Sequence, residues 1–288
     1  MKIQTLTIVA GSSACNARCP YCVSRMTPKQ GIGLEEPVVN WRNFEKACNF
    51  SKMNDVSTVL ITGKGEPTLF PEQISEFLNK LERFEFPFIE IQTNGIVLAG
   101  DDCDEYLKKW YDLGLTTIAI SIVHYERDKN KLIFTPEGEY FDLEKLIAKL
   151  HDIGYTVRIS CTLVKGFVDS KDEALALIKK VKGWGVEQLS LRKLAAPQGS
   201  ECKSVYDWTM ENMIGDENYS EIELFVKENG NQLLALAHGA TVYDLEGQNV
   251  CLTSALTIEP ERDNMRQVYF FPDGHLRYDW QYKGAILI

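Results

Sequence analysis

From the N-terminus to about residue 195, short β-branched, apolar runs alternate with longer segments in which apolar positions recur every three or four residues. A period of two marks a strand and a period of 3.6 a helix, so this stretch reads as repeated βα units. Strands are predicted at Leu6 to Ala10, Thr58 to Thr62, Phe88 to Gln92, Thr117 to Ile122, Tyr155 to Leu163 and Gln188 to Leu191. Helices are predicted between them, near Trp41 to Ser51, Pro71 to Phe84, Cys103 to Leu113, Asp142 to Asp152 and Ser170 to Trp184. Right-handed crossovers would curl six such strands into an open parallel barrel, too short by two units to close. The expected fold class is α/β, a partial (β/α)6 TIM-like barrel whose C-terminal strand ends are free to carry chemistry.

After Ala195-Ala196-Pro197-Gln198-Gly199-Ser200 the pattern changes to two helices, near Val205 to Ile214 and Ser220 to Asn229, and then to short strands. The last two are expected to form a hairpin, Gln267 to Phe271 and His275 to Trp280, turning at Pro272-Asp273-Gly274. We therefore expect a barrel core over residues 1–195 and an α+β extension over 196–288 that closes or gates the barrel mouth. Its aromatic residues Tyr269, Phe270, Phe271, Tyr278 and Trp280 suit the packing of a core better than the stacking of a substrate ring.

Composition narrows the setting. The chain has 288 residues, a hydrophobic fraction of 44 % and only ten prolines, which excludes disordered and fibrous classes. No apolar run approaches the length of a membrane span, and Met1 to Thr5 does not open a secretory signal, so a cytoplasmic protein without a membrane partner is expected. With 41 acidic against 31 basic residues the net charge is −10, which argues against a nucleic-acid polymer as partner. A local basic pocket is still compatible with that balance.

In a reducing compartment thiols are kept for chemistry or metal, so the placement of the eight cysteines matters. Cys15, Cys19 and Cys22 form a C-x3-C-x2-C cluster in a loop directly after the first strand. Random placement would produce that spacing in roughly 0.6 % of chains of this composition, so accident explains it poorly. Three thiolates leave one iron of a 4Fe-4S cluster without a protein ligand, open to a small molecule. A zinc site completed by a remote ligand is the competing reading. Cys48, Cys103, Cys161, Cys202 and Cys251 are too scattered to suggest a second cluster.

The segment Cys15-Asn16-Ala17-Arg18-Cys19-Pro20-Tyr21-Cys22 closely resembles the signature of the radical S-adenosylmethionine (radical SAM) superfamily, with Tyr21 at its aromatic position. The resemblance implies that Cys15, Cys19 and Cys22 ligate a 4Fe-4S cluster. It also implies that S-adenosylmethionine is cleaved there to a 5′-deoxyadenosyl radical, which abstracts a substrate hydrogen. Gly63-Lys64-Gly65-Glu66-Pro67 is similar to the family's Gly-Gly-Glu-Pro segment, which holds the methionine amino group, with Lys64 in place of a glycine. Thr93, in a Thr-Asn-Gly sequence after the third strand, and Ser121, near the end of the fourth, match further cofactor contacts. The strand carrying Ser160 resembles its counterpart in the GTP-cyclising enzymes of molybdenum-cofactor biosynthesis, where asparagine is common at this position. The resemblance spans residues 5 to 195.

On the substrate side, His124 in the loop after the fourth strand could orient or deprotonate a substrate. Arg192 and Lys193, ending the sixth strand, could bind a carboxylate or phosphate. A small polar substrate is expected, a nucleotide among the candidates, with an external electron donor such as flavodoxin or ferredoxin. The rival within enzymes is modification of a ribosomal peptide or protein residue. The rival outside them is an iron-sulfur electron-transfer or binding protein.

Overall fold

The structure, a computed structural model, describes residues 2–236, 239–254, 256 and 264–288. Its first two thirds alternate strand and helix as the pattern demands: β1 (Lys2–Val9), β2 (Thr58–Thr62), β3 (Phe88–Thr93), β4 (Thr117–Ile122), β5 (Thr156–Leu163) and β6 (Gln188–Lys193). The intervening helices are α1 (Val23–Met26), α2 (Trp41–Met53), α3 (Pro71–Leu81), α4 (Asp104–Asp112), α5 (Arg127–Phe134), α6 (Leu143–Ile153) and α7 (Lys171–Gly183). Side-chain caps set several of the starts. Asn40, Asp142 and Ser170 accept hydrogen bonds from backbone N–H groups in the first turns of α2, α6 and α7.

Period-two alternation divides the sheet into two chemical faces. One face carries Leu6, Ile8, Val59, Ile61, Ile89, Ile91, Ile118, Ile120, Val157, Ile159, Leu189 and Leu191, all buried in one core with the helices. Phe44 and Phe77 from α2 and α3 meet there edge to face, with ring centroids 5.2 Å apart. The other face alternates with it and is polar: Glu90, Gln92, Ser121, Arg158, Ser160, Thr162, Gln188, Ser190 and Arg192. Register aligns Ser121, Ser160 and Ser190 across β4, β5 and β6.

Beyond residue 195 come α8 (Lys203–Asn212), α9 (Asp216–Asn229), β7 (Asn231–Ala235), β8 (Thr241–Leu245), β9 (Gln248–Ser254), β10 (Asn264–Phe270) and β11 (Leu276–Arg277). These strands join the barrel sheet at both edges, β9 pairing parallel with β6 and β10 parallel with β1. Among the described residues the order is β11-β10-β1-β2-β3-β4-β5-β6-β9-β8-β7.

Three expectations need correction. The helix expected from Ser220 begins at Asp216, because Asp216 and Glu217 make a favourable acidic first turn. Helix α5, read from the sequence as loop, is a helix. The C-terminal hairpin keeps only two residues in its second strand, because the Tyr278 and Leu287 amides donate to the Ala285 and Leu276 carbonyls, folding the chain end back on itself. No helix among the described residues is long and apolar enough to cross a membrane.

Candidate active site

The cysteine loop leaves the C-terminal end of β1 and packs on the turns that follow β2 and β3. The Gly65 and Glu66 amides donate to the Ser12 and Ala14 carbonyls at 3.0 and 2.9 Å. Asn94 Nδ2 donates to Asn16 Oδ1 at 2.7 Å and reaches Cys15 Sγ at 3.9 Å. Arg18 N donates to the Phe134 carbonyl at 2.8 Å, so α5 braces the loop from the far side.

The loop leaves Cys15 at the surface and Cys19 and Cys22 half-buried, with the Cys15 and Cys19 sulfurs partly desolvated. Burial pushes Cys15 up to about 11 and Cys19 well above the usual thiol range, and negative charge on the neighbouring cysteines adds to both shifts. Ionising these sulfurs together needs positive charge brought in from outside, as iron would bring it. Among the described residues no three His, Cys, Asp or Glu side chains are grouped to hold one metal ion. The buried Tyr140 hydroxyl, within electrostatic reach of Cys19, has no hydrogen-bond partner among the described residues. A buried donor left unpaired beside the thiols is what a sulfide-bearing group would satisfy.

Glu66 is the buried keystone of the next turn. Its Oε1 accepts from Thr68 N at 3.1 Å and from the hydroxyls of Thr68 and Thr93, both at 2.6 Å, while Oε2 accepts from Asn94 N at 2.9 Å. Burial raises its pKa, and these four donors oppose the shift. The carboxylate thereby fixes the β2 and β3 turns relative to each other. Between the glycines, Lys64 is only 5 % exposed, and its ammonium donates to Thr27 Oγ1 at 2.9 Å and lies 4.0 Å from the Trp280 ring centroid. Burial pushes it down to about 7, a shift that negative charge on Cys22 opposes.

The remaining predicted residues separate by face. Ser121 accepts from Gln92 Nε2 at 2.7 Å, and Ser160 accepts from Arg192 Nη1 at 3.4 Å. Burial and the charges of Arg266 and Arg158 push Arg192 down to about 10. Tyr21 lies near Trp208, ring centroids 6.2 Å apart. Lys193, next in sequence to Arg192, points away from it. Its ammonium binds Asp216 at 2.8 Å and sits over the Tyr219 ring at 4.7 Å. His124 is fully buried, its Nδ1 accepting from Glu126 N at 2.9 Å and its Nε2 lying 3.3 Å from Glu173 and 3.2 Å from Lys129. Burial, then Lys129, lowers its pKa.

Sequence reasoning missed Asn94, although it stands inside the Thr-Asn-Gly stretch that drew attention to Thr93. It also missed the ion pair between Arg158 and Glu90, 2.7 Å long, which joins the polar sides of β5 and β3. A glutamate and an arginine at inward positions of two strands were the available signal.

An open α/β barrel that carries a cysteine loop and a Gly-Glu-Pro turn at its C-terminal strand ends has the architecture of enzymes that work at that face. The radical SAM superfamily model matches residues 9–181, and the chain belongs to that superfamily. It is accordingly an enzyme of the kind that uses a 4Fe-4S cluster and S-adenosylmethionine for radical chemistry. Among curated proteins it is similar to the GTP 3′,8-cyclase of Aquifex aeolicus, 28 % identical over 178 residues, covering 60 % of this chain and 51 % of that protein. An uncharacterized protein of Methanocaldococcus jannaschii is 29 % identical over 179 residues, covering 60 % of this chain and 52 % of its own. The chain spans about half the length of the curated relatives it matches. Among solved structures, anSMEcpe with bound AdoMet aligns with a TM-score of 0.59 at 16 % identity, over 97 % of this chain and 75 % of that one. Streptococcus suis SuiB bound to S-adenosylmethionine aligns with a TM-score of 0.57 at 14 % identity, over 96 % and 58 %. At such identities the likeness is one of fold.

Proposed function

We propose that Cys15, Cys19 and Cys22 hold the cluster, that Tyr21, Gly63 to Pro67, Thr93, Ser121 and Ser160 cradle S-adenosylmethionine, and that a small anionic substrate enters the polar side of the barrel. When bound, the cluster supplies the electron that splits S-adenosylmethionine into methionine and a 5′-deoxyadenosyl radical. The observation that carries this reading is the docking of the Gly63 to Pro67 turn on the cysteine loop through the Gly65 and Glu66 amides. It brings a carboxylate-anchored turn against three thiols, where a ligand of the open iron would need its amino and carboxylate groups met. The electron comes from an external one-electron donor of the flavodoxin or ferredoxin kind, in the cytoplasm. Anaerobic reconstitution, reduction with dithionite and assay for 5′-deoxyadenosine test the reading. Product from S-adenosylmethionine supports it, and an intact cluster with no product overturns it.

The substrate assignment rests on the inner face of the sheet. Arg158 and Arg266 lie within electrostatic reach of Arg192, and Arg192 and Arg158 both act on Glu90. Guanidinium groups in a desolvated setting favour a carboxylate or phosphate. The Aquifex relative acts on GTP, which makes GTP the first probe. Loss of one charged hydrogen-bond donor costs about 1.5–3 kcal/mol, so Arg192→Ala should weaken GTP binding about 10- to 100-fold in equilibrium titration. Unchanged affinity in a variant that keeps its iron would remove Arg192 from the site. Lys193, committed to Asp216, has no such role in this reading, and His124 serves as a buried strut between the β4 loop and α7.

A further inference from the structure

We infer that Lys64 is the counter-charge of the cluster, a positioning residue whose buried ammonium, tied through Thr27 to the helix that starts after Cys22, raises the potential at which the cluster accepts its electron. This rests on the proposal that the three cysteines hold the cluster.

Lys64 is a buried cation with no buried anion beside it among the described residues. The Lys64 side chain is removed from water, and among the described residues no carboxylate lies within ion-pair distance of its ammonium. Its contacts are one hydroxyl and one aromatic face: Thr27 Oγ1 at 2.9 Å and the Trp280 ring at 4.0 Å. A desolvated ammonium held this way is expensive unless a negative group completes its surroundings. The negative group within its electrostatic reach is Cys22. The Arg277 guanidinium is also near and repels it, so an anion on the Cys22 side is the compensation the site calls for.

The ammonium is also aimed. Thr27 donates to the Val23 carbonyl at 2.8 Å, which ties it to α1, and α1 starts at the residue after Cys22. Trp280 is fixed by Tyr269 and Phe271, at centroid distances of 5.4 and 5.7 Å, so the C-terminal segment closes the other side. Three distant stretches of chain thus hold one charge against the helix that follows Cys22. Gaining an electron makes a cluster more negative, and a fixed neighbouring cation stabilises that reduced form.

The test replaces the charge and keeps the length. Lys64→Met, reconstituted anaerobically, is expected to hold as much iron as the unaltered protein while its one-electron reduction becomes about tenfold less favourable. That is a midpoint about 59 mV more negative in an EPR-monitored titration with dithionite. Lys64→Arg is expected to keep the midpoint near that of the unaltered protein. An unchanged midpoint in Lys64→Met at full iron content overturns the inference. If Lys64→Met loses iron, Lys64→Gln takes its place under the same criterion, and loss of iron from both neutral variants overturns it too, because the charge then acts on assembly. If the unaltered protein takes up no cluster, the cysteine assignment fails first, and the two failures are told apart by iron analysis before any potential is measured.

Discussion

Cys19→Ala is expected to leave a folded protein that holds no cluster and forms no 5′-deoxyadenosine. The side chain lies in the loop between β1 and α1, packed on a small cluster that includes Phe134 and Tyr140 and outside the main helix-packed core, so losing it leaves the main core intact. Far-ultraviolet circular dichroism should therefore match the unaltered protein. The loss at the site is of another order. Removing partners behind a metal ligand already costs about 10- to 100-fold in affinity, and deleting a ligand takes away an iron–sulfur bond outright. Two thiols cannot hold three irons, so iron and sulfide analysis should fall to background. Cys48→Ala supplies the contrast, because Cys48 is buried in α2 against the main core, away from the cysteine loop. It is expected to keep its full iron content while losing some thermal stability. Iron retained by Cys19→Ala would remove Cys19 from the ligand set.

The barrel was legible because its alternation is chemically one-sided. Val59 and Ile61, or Ile118 and Ile120, bury themselves against helices while Ser121 and its neighbours across the register stay polar, and the period shows without any long-range information. Helix α5 was hidden because what holds it is tertiary. Asn130 Oδ1 accepts from the Val123 and His124 amides at 2.9 and 3.2 Å, and the Phe134 carbonyl accepts from Arg18, none of which a local charge pattern shows. The same reason hid the setting of His124, whose Glu173 partner is 49 residues away. Arg192 and Lys193 were grouped because they are adjacent, yet adjacent strand residues face opposite ways. That alternation was present in the sequence. The meeting of Lys64 with Trp280 was not, since no local pattern joins two residues so far apart along the chain.

Gly65→Ala carries the second large effect, and it tests the cofactor cradle without touching a cysteine. A Cβ at this position would lie 1.9 Å from the Ala14 carbonyl oxygen, 2.6 Å from the Ala14 carbonyl carbon and 2.8 Å from that of Ser13. All three are backbone atoms, so no side-chain rotation relieves the overlap. The turn cannot retreat, because Glu66 is anchored by Thr68, Thr93 and Asn94. The cysteine loop must then move, breaking the Gly65 and Glu66 amide contacts to Ser12 and Ala14. Overpacking of this kind costs about 1–3 kcal/mol and the two lost hydrogen bonds about 1 kcal/mol each. S-adenosylmethionine affinity should accordingly fall by about 100-fold or more in equilibrium binding to the reconstituted protein. Gly63→Ala is the graded comparison. Its Cβ would meet the Ala10 and Gly65 carbonyl oxygens at 3.0 and 3.1 Å, tight contacts that a shift of a few tenths of an ångström relieves. A few-fold loss is expected there. Equal affinities in the two variants would mean that the turn does not reach the cofactor, and the assignment of Gly63 to Pro67 would fall with it.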